Sequence, residues 1–294
     1  MVLLMNNNKL FNELQVKLAQ EIYKKYDKII NKVAKLHKIS KQAILDKVAR
    51  IILEQNVVDS VMDMDTATKT RLRKQLNEFI KEVFKTEYEE ENTIVKDTLY
   101  NVAQDKYYSN CYLYSLGVNY TLKPVKEDVL KKIINKKING KNYSSRIWSN
   151  KNKVAKQMRV EVDKFLNGKT DINTINGIIS KKFDVNWNNT NRLVRDSIGR
   201  VQWEVNKVWR KQHNISKVMW DSTLDMRTCT DCQEYDGKIY NANNTPHQHI
   251  LCRCELIPLV KGWKPVERWD NENKRRISYK TYKEWFKEQD LNNE

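Results

Sequence analysis

Four of the chain's five cysteines, Cys229, Cys232, Cys252 and Cys254, crowd into one short C-terminal window, and His249 stands three residues ahead of the second pair. A CxxC turn brings two sulfurs to the same side of a tight loop, and zinc takes four nitrogen or sulfur ligands in a tetrahedron. The spacing therefore points to one structural zinc ion. Five donors compete for four places, and the preferred set is Cys229, Cys232, His249 and Cys254, with Cys252 as the exchangeable choice. In an extended strand Cys252 and Cys254 share a face with Arg253 opposite, so both thiols reach one ion only where the backbone turns. Two alternatives stay open: buried thiols without metal, and disulfides in an oxidising compartment. A closed set of four ligands leaves no coordination position for hydrolytic chemistry, and its ion would serve to fold a module too small to bury much core.

The neighbours of the cluster are less specific. His247, in Pro246-His247-Gln248-His249, is an alternative ligand or a base, although a solvated loop position is its ordinary fate. Asp225 and Arg227 form a candidate ion pair beside the first knuckle. Asp236-Gly237 is a turn signal leading into Lys238-Ile239-Tyr240.

The rest of the chain reads as helix. Phe11, Leu14, Leu18, Ile22, Tyr26, Ile29, Val33 and Leu36 recur at three-to-four spacing and give one apolar stripe. Ser40 is expected to cap a second helix that ends near Asn56. A third stripe runs from Leu72 to Phe84, followed by the acidic run 87–91 and a further helix from Thr93 to about Tyr108. Later helices are expected over 126–137, over 152–166 with Gly168 as a left-handed stop, after a cap at Asp171, and from about Thr190 to His213. Beyond His213 the texture becomes β-rich over 216–220, 238–240 and 255–260, and the segment 278–291 is a short amphipathic helix whose aromatic face packs on its own domain.

The fold class expected is mainly α: an elongated multi-helix N-terminal and central body with a small α+β, zinc-knuckle-like C-terminal module. Four regions follow, at 1–120, 121–213, 214–265 and 266–294. The formal net charge of +17 attracts polyanions, so nucleic acid or an acidic protein surface is an expected neighbour. No stretch reaches the roughly twenty apolar residues of a membrane span, and Met1-Val2-Leu3-Leu4-Met5 is too short for a signal-peptide core, so no membrane partner is expected and the place of synthesis is a cytoplasm.

The run from Trp220 to Cys232, then Asp236 to Tyr240, Pro246, His249 and Cys252-Arg253-Cys254, resembles the C-terminal signature of the phage head morphogenesis proteins, the Mu F-like minor head proteins. The segment 139–150 and the helix containing Asn191-Arg192-Leu193-Val194-Arg195 are similar to that family's central part, so the resemblance covers roughly residues 125 to 260. Asp196-Ser197 stands where the family commonly carries a Thr-Glu pair. The resemblance implies a minor structural protein of a virion head, without enzymatic activity, placed inside the head near the portal after assembly in the host cytoplasm. Its implied partners are the portal protein, the major capsid protein and, non-specifically, double-stranded DNA. Some relatives carry a C-terminal toxin or other enzyme, and the thirty or so residues after the module are too few for one. The competing expectations are a metal-dependent nuclease with His247 as base and a zinc-containing DNA-binding protein.

Overall fold

The computed structural model describes residues 2–116, 122–259 and 265–291. It is mainly helical, with a small sheet-bearing C-terminal region, and it divides into two compact units. One comprises residues 26–98 and 135–195; the other comprises residues 1–25, 99–134 and 196–294. Among the described residues no helix is long and apolar enough to cross a membrane.

Three of the expected helix breaks are absent. Helix α1 runs without interruption over Val2–Glu54, so Ser40 is an interior residue, 8% exposed, and not a cap. Helix α2 spans Thr66–Ser115 and carries the acidic run inside it. Helix α5 covers Ile175–Gln212 where two helices were expected. The cause is common to all three: none of these segments contains proline, and a lone serine or a charged run does not outweigh continuous hydrogen bonding with one buried face.

The core of the first unit is built by parts of α1, α2, α5 and α4 (Tyr143–Leu166). Ile44, Val48 and Ile51 from α1, Leu72, Leu76, Ile80 and Phe84 from α2, Val154, Met158, Val162 and Phe165 from α4, and Ile179 and Phe183 from α5 are all buried in one cluster. At roughly 1.5–3 kcal/mol per buried aliphatic or aromatic side chain, this stripe is the main source of the unit's stability. An antiparallel hairpin of β1 (Asn56–Val58) and β2 (Val61–Asp63), not foreseen in the sequence, joins α1 to α2. Its two-residue turn places both Asp59 and Ser60 at positive φ, 50° and 64°, the geometry usually given to Asn-Gly. Helix α4 begins nine residues ahead of the expected start at 152, directly after the turn at Asn139-Gly140, because Asn142 caps it there, its Oδ1 accepting from the Ser145 N–H at 3.0 Å. It ends on Gly168 at φ 69°, where Lys169 N–H reaches Lys164 C=O and Gly168 N–H reaches Phe165 C=O. That double bond pattern is the Schellman stop. Asp171 then accepts from the Asn173 and Thr174 N–H groups just before α5, as the sequence indicates.

The second unit includes α3 (Glu127–Ile134) and a three-stranded antiparallel sheet in the order β4 (Ile239–Asn241), β3 (Lys217–Asp221), β5 (Glu255–Pro258). Central β3 pairs Val218 with Tyr240 on one side and Trp220 with Leu256 on the other. Trp220 is fully buried against Trp203 of α5 and Tyr235. Asp236-Gly237 does not close a strand-to-strand hairpin: it connects the short helix α6 (Thr230–Tyr235) to β4, with Gly237 at φ 74°. A second unforeseen hairpin, β6 (Glu267–Asp270) and β7 (Arg275–Ser278), precedes α7 (Tyr282–Leu291). Tyr282 and Trp285 of α7 are buried on Leu224 and Ile277, so this aromatic face does pack on its own domain.

Candidate metal centre

The first knuckle is local in origin. Cys229 is the N-cap of α6 in extended conformation, and its side chain makes no capping hydrogen bond, so its sulfur is not spent on the helix. Cys232 lies one turn on, buried, and the pair thereby presents two sulfurs at one helix end. The second knuckle comes from a turn in which Cys252 N–H bonds His249 C=O while Leu251 takes φ 59°. The turn closes just ahead of Cys252, and residues 252–254 run without regular structure into β5. Arg253 leaves in another direction, to the Asp225 carboxylate.

The donors converge. His249 Nε2 lies 3.3 Å from the sulfurs of both Cys229 and Cys232, and the Cys232 sulfur is 3.8 Å from that of Cys252. Cys229, Cys232 and His249 form one group with all ligand atoms within 4.8 Å, and Cys232, Cys252 and Cys254 form another, with Cys232 common to both. The cluster could hold a metal ion. A tetrahedron with Zn–S bonds of about 2.3 Å and a Zn–N bond of about 2.0–2.1 Å sets sulfurs about 3.8 Å apart and sulfur and nitrogen about 3.5 Å apart. The Cys232–Cys252 spacing equals the sulfur edge and the two cysteine–His249 spacings fall just inside the sulfur–nitrogen edge, while the two donor groups join only through Cys232. His249 Nδ1 lies 2.8 Å from the Ile250 carbonyl, a donor bond that leaves the Nε2 lone pair directed to the sulfurs. All five expected residues thus lie in two donor groups that share Cys232, with the Cys252 sulfur 3.8 Å from that of Cys232. Hydrogen bonds from the Cys232 and Cys254 thiols hold the Cys252 thiol well below its ordinary range against the opposing effect of burial.

The cluster is braced by groups that the sequence singled out only in part. Asp225 is 1% exposed and takes a two-pronged interaction from Arg253, with Asn271 Nδ2 at 2.7 Å. Burial pushes its carboxyl up, but the hydrogen bonds and charge of Arg253, with Asn271 and the Arg227 N–H, outweigh this and hold it far below the usual carboxylate range. The expected partner Arg227 is a lesser one, at 3.5 Å and largely exposed. Arg268, which no sequence motif marked, binds Asp236 at 2.9 Å and the Ser222 carbonyl beneath the knuckle. His247 is exposed and lies outside both donor groups.

A separate, open cleft of about 420 Å³ lies between α2 and α4, lined by Lys85, Tyr88, Glu89, Ser144 and Trp148 among others. Tyr88 and Trp148 meet edge to face at 4.9 Å, and Trp148 is 43% exposed.

Comparison with known proteins bears on the chain's task. No family model matches the sequence, and no solved structure matches it. The chain is 24% identical over 215 residues to the NAD(+)–arginine ADP-ribosyltransferase EFV of Enterococcus faecalis (strain ATCC 700802 / V583), an alignment covering 65% of this chain and 44% of that protein. The chain therefore spans less than half the length of this curated relative. The relative's name is that of a transferase. It overturns the expectation of a structural head protein without enzymatic activity. The physical reason for the error is that a Cys/His signature reports how a small module is held together, whereas function resides in sites that the same module can accompany in many settings.

Proposed function

We propose that this protein takes part in the transfer of ADP-ribose from NAD+ to arginine, and that its Cys/His cluster is a structural zinc site. The observation that carries the first part is the similarity over 215 residues to an enzyme of that name. The zinc part is supported by the close approach of Cys229, Cys232 and His249 and of Cys232, Cys252 and Cys254, two donor groups that share Cys232. Thiolate-rich ligands favour zinc, and a filled ligand sphere contributes folding free energy and not Lewis-acid chemistry. Common descent of this module with that of the head-morphogenesis proteins belongs to the same proposal and carries no head-assembly role.

The helical unit offers one place suited to a dinucleotide. In the cleft beside Trp148, an exposed indole face is matched to a positively charged pyridinium ring, Lys85 to a phosphate, and the carboxylate of Glu89 to the cationic end. The test is direct: the zinc-loaded full chain is incubated with labelled NAD+ and an arginine-rich acceptor. Label on the acceptor is the expected result. Absence of both transfer and nicotinamide release overturns the proposal.

A further inference from the structure

The helical unit contains a second group of metal-ligating side chains, entirely inside the core. His37 of α1, Glu87 and Glu91 of α2, and Lys151 of α4 are each 4% exposed or less. The Lys151 ammonium contacts the Glu87 carboxylate, lies 2.5 Å from Glu91 Oε2 and lies 2.9 Å from His37 Nε2. His37 Nε2 is 2.9 Å from Glu91 Oε2 and 3.4 Å from Glu87 Oε1. From α5, Asn186 Nδ2 bonds Glu87 at 3.1 Å and approaches His37 Nδ1 at 3.4 Å, and Thr190 reaches Glu91 at 3.4 Å.

Nε2 of His37 faces both the Lys151 ammonium and Glu91, and Nδ1 faces Asn186. Two carboxylates thus share one ammonium, and buried carboxylates are costly away from water unless a cation faces them. In addition, Glu87 Oε2 and Asn186 Oδ1 are buried with no hydrogen-bond partner among the described residues. The imidazole and the two carboxylates have their ligand atoms within 4.8 Å of one another, the span of a metal's coordination sphere.

We infer that His37, Glu87 and Glu91 form a cation site whose resident cation is the tethered ammonium of Lys151, and that a divalent metal of the manganese type occupies the same three ligands once the ammonium is removed. One imidazole and two carboxylates suit Mn2+, whereas the thiolate cluster of the other unit selects softer ions, so the two sites are separable by choice of metal. In the native chain the ammonium links groups from three helices, α1, α2 and its own α4, at one level, and in this way sets the register of the bundle.

The experiment uses the full chain with its Cys/His cluster loaded with zinc, titrated with Mn2+ and followed by the loss of the free-ion magnetic resonance signal and by thermal melting. Lys151→Ala is expected to bind one Mn2+ per chain and to melt roughly 5–10 °C higher in a hundredfold excess over Kd. The native chain is expected to bind none, and the double variant His37→Ala, Lys151→Ala is expected to lose the ion. If the alanine variant needs metal to fold, Mn2+-dependent folding of it or of the better-filled Lys151→Met supports the inference. A folded Lys151 variant that ignores Mn2+, two variants that fail to fold with or without it, or a native chain that binds Mn2+ equally well would each overturn it.

Discussion

The sulfur of Cys232 lies 3.8 Å from that of Cys252, which makes Cys232 the one donor shared by both halves of the Cys/His cluster. The two atoms are far beyond the roughly 2.05 Å of a disulfide, yet at the spacing that zinc imposes on neighbouring thiolates. Loss of the shared donor should therefore cost more than loss of a peripheral one. Cys232→Ser is expected to release the ion and make the region 214–260 protease-sensitive while the helical circular dichroism remains. Cys254→Ser is expected to keep about one zinc per chain, measured by elemental analysis of the dialysed protein.

Asp225 gives the module an acid limit. Its carboxyl sits below the ordinary range when folded, so its contribution to stability is fully present above that range, about pH 3.9, and is lost as pH falls through the folded value. Asp225→Asn removes the charge that Arg253 binds, at an expected cost of about 1.5–3 kcal/mol at neutral pH. Urea unfolding of the native chain and the variant should differ at pH 7 and converge in strong acid.

In the helical unit Glu91 obeys the same sign. Burial raises its pKa, but the hydrogen bond from His37 and the charges of Lys151 and His37 lower it by more. Stability is again present above the normal carboxylate value and lost on acidification. Lys151→Met leaves two carboxylates in the core without their cation and is expected to destabilise by about 3–5 kcal/mol in the absence of added metal. A loss below 1 kcal/mol in denaturant melts would show that the ammonium is not what neutralises them.

Two packing predictions test the fold directly. Leu76 is fully buried at the centre of the helical core, and Leu76→Ala should cost about 2–5 kcal/mol. Gly168 holds a left-handed φ with Met62 C=O 3.5 Å from where a β-carbon would stand. There is room for the atom but not for the backbone geometry, so Gly168→Ala should cost about 1–2 kcal/mol.

What could be read from the sequence was set by the range of the interactions. The stop at Gly168, the cap at Asp171 and the strands at 217–221 and 255–258 have local causes, and the structure has them near their expected positions. The convergence of Cys229, Cys232, His249, Cys252 and Cys254 was legible because CxxC geometry is short-range. The expected break at Ser40 failed because a capping residue does not stop a helix whose buried face continues beyond it. The hairpin at 56–63 escaped notice because Asp59-Ser60 carries no glycine to announce its turn. Arg268 and the group around Lys151 could not be found at all, since their partners lie tens to more than a hundred residues away and a charged residue on an amphipathic stripe looks like solvent-facing surface. The chain's task is not legible for a different reason: a module's signature does not carry the purpose of the whole.

Five donors for the four places of the proposed zinc ion also amount to fault tolerance. Cys229 and His249 face solvent, whereas Cys232, Cys252 and Cys254 are buried. Oxidants therefore meet the outer thiol first, and sulfenic acid at Cys229 removes one ligand from the sphere. With Cys254 among the inner sulfurs, the proposed site keeps four candidate donors after that loss.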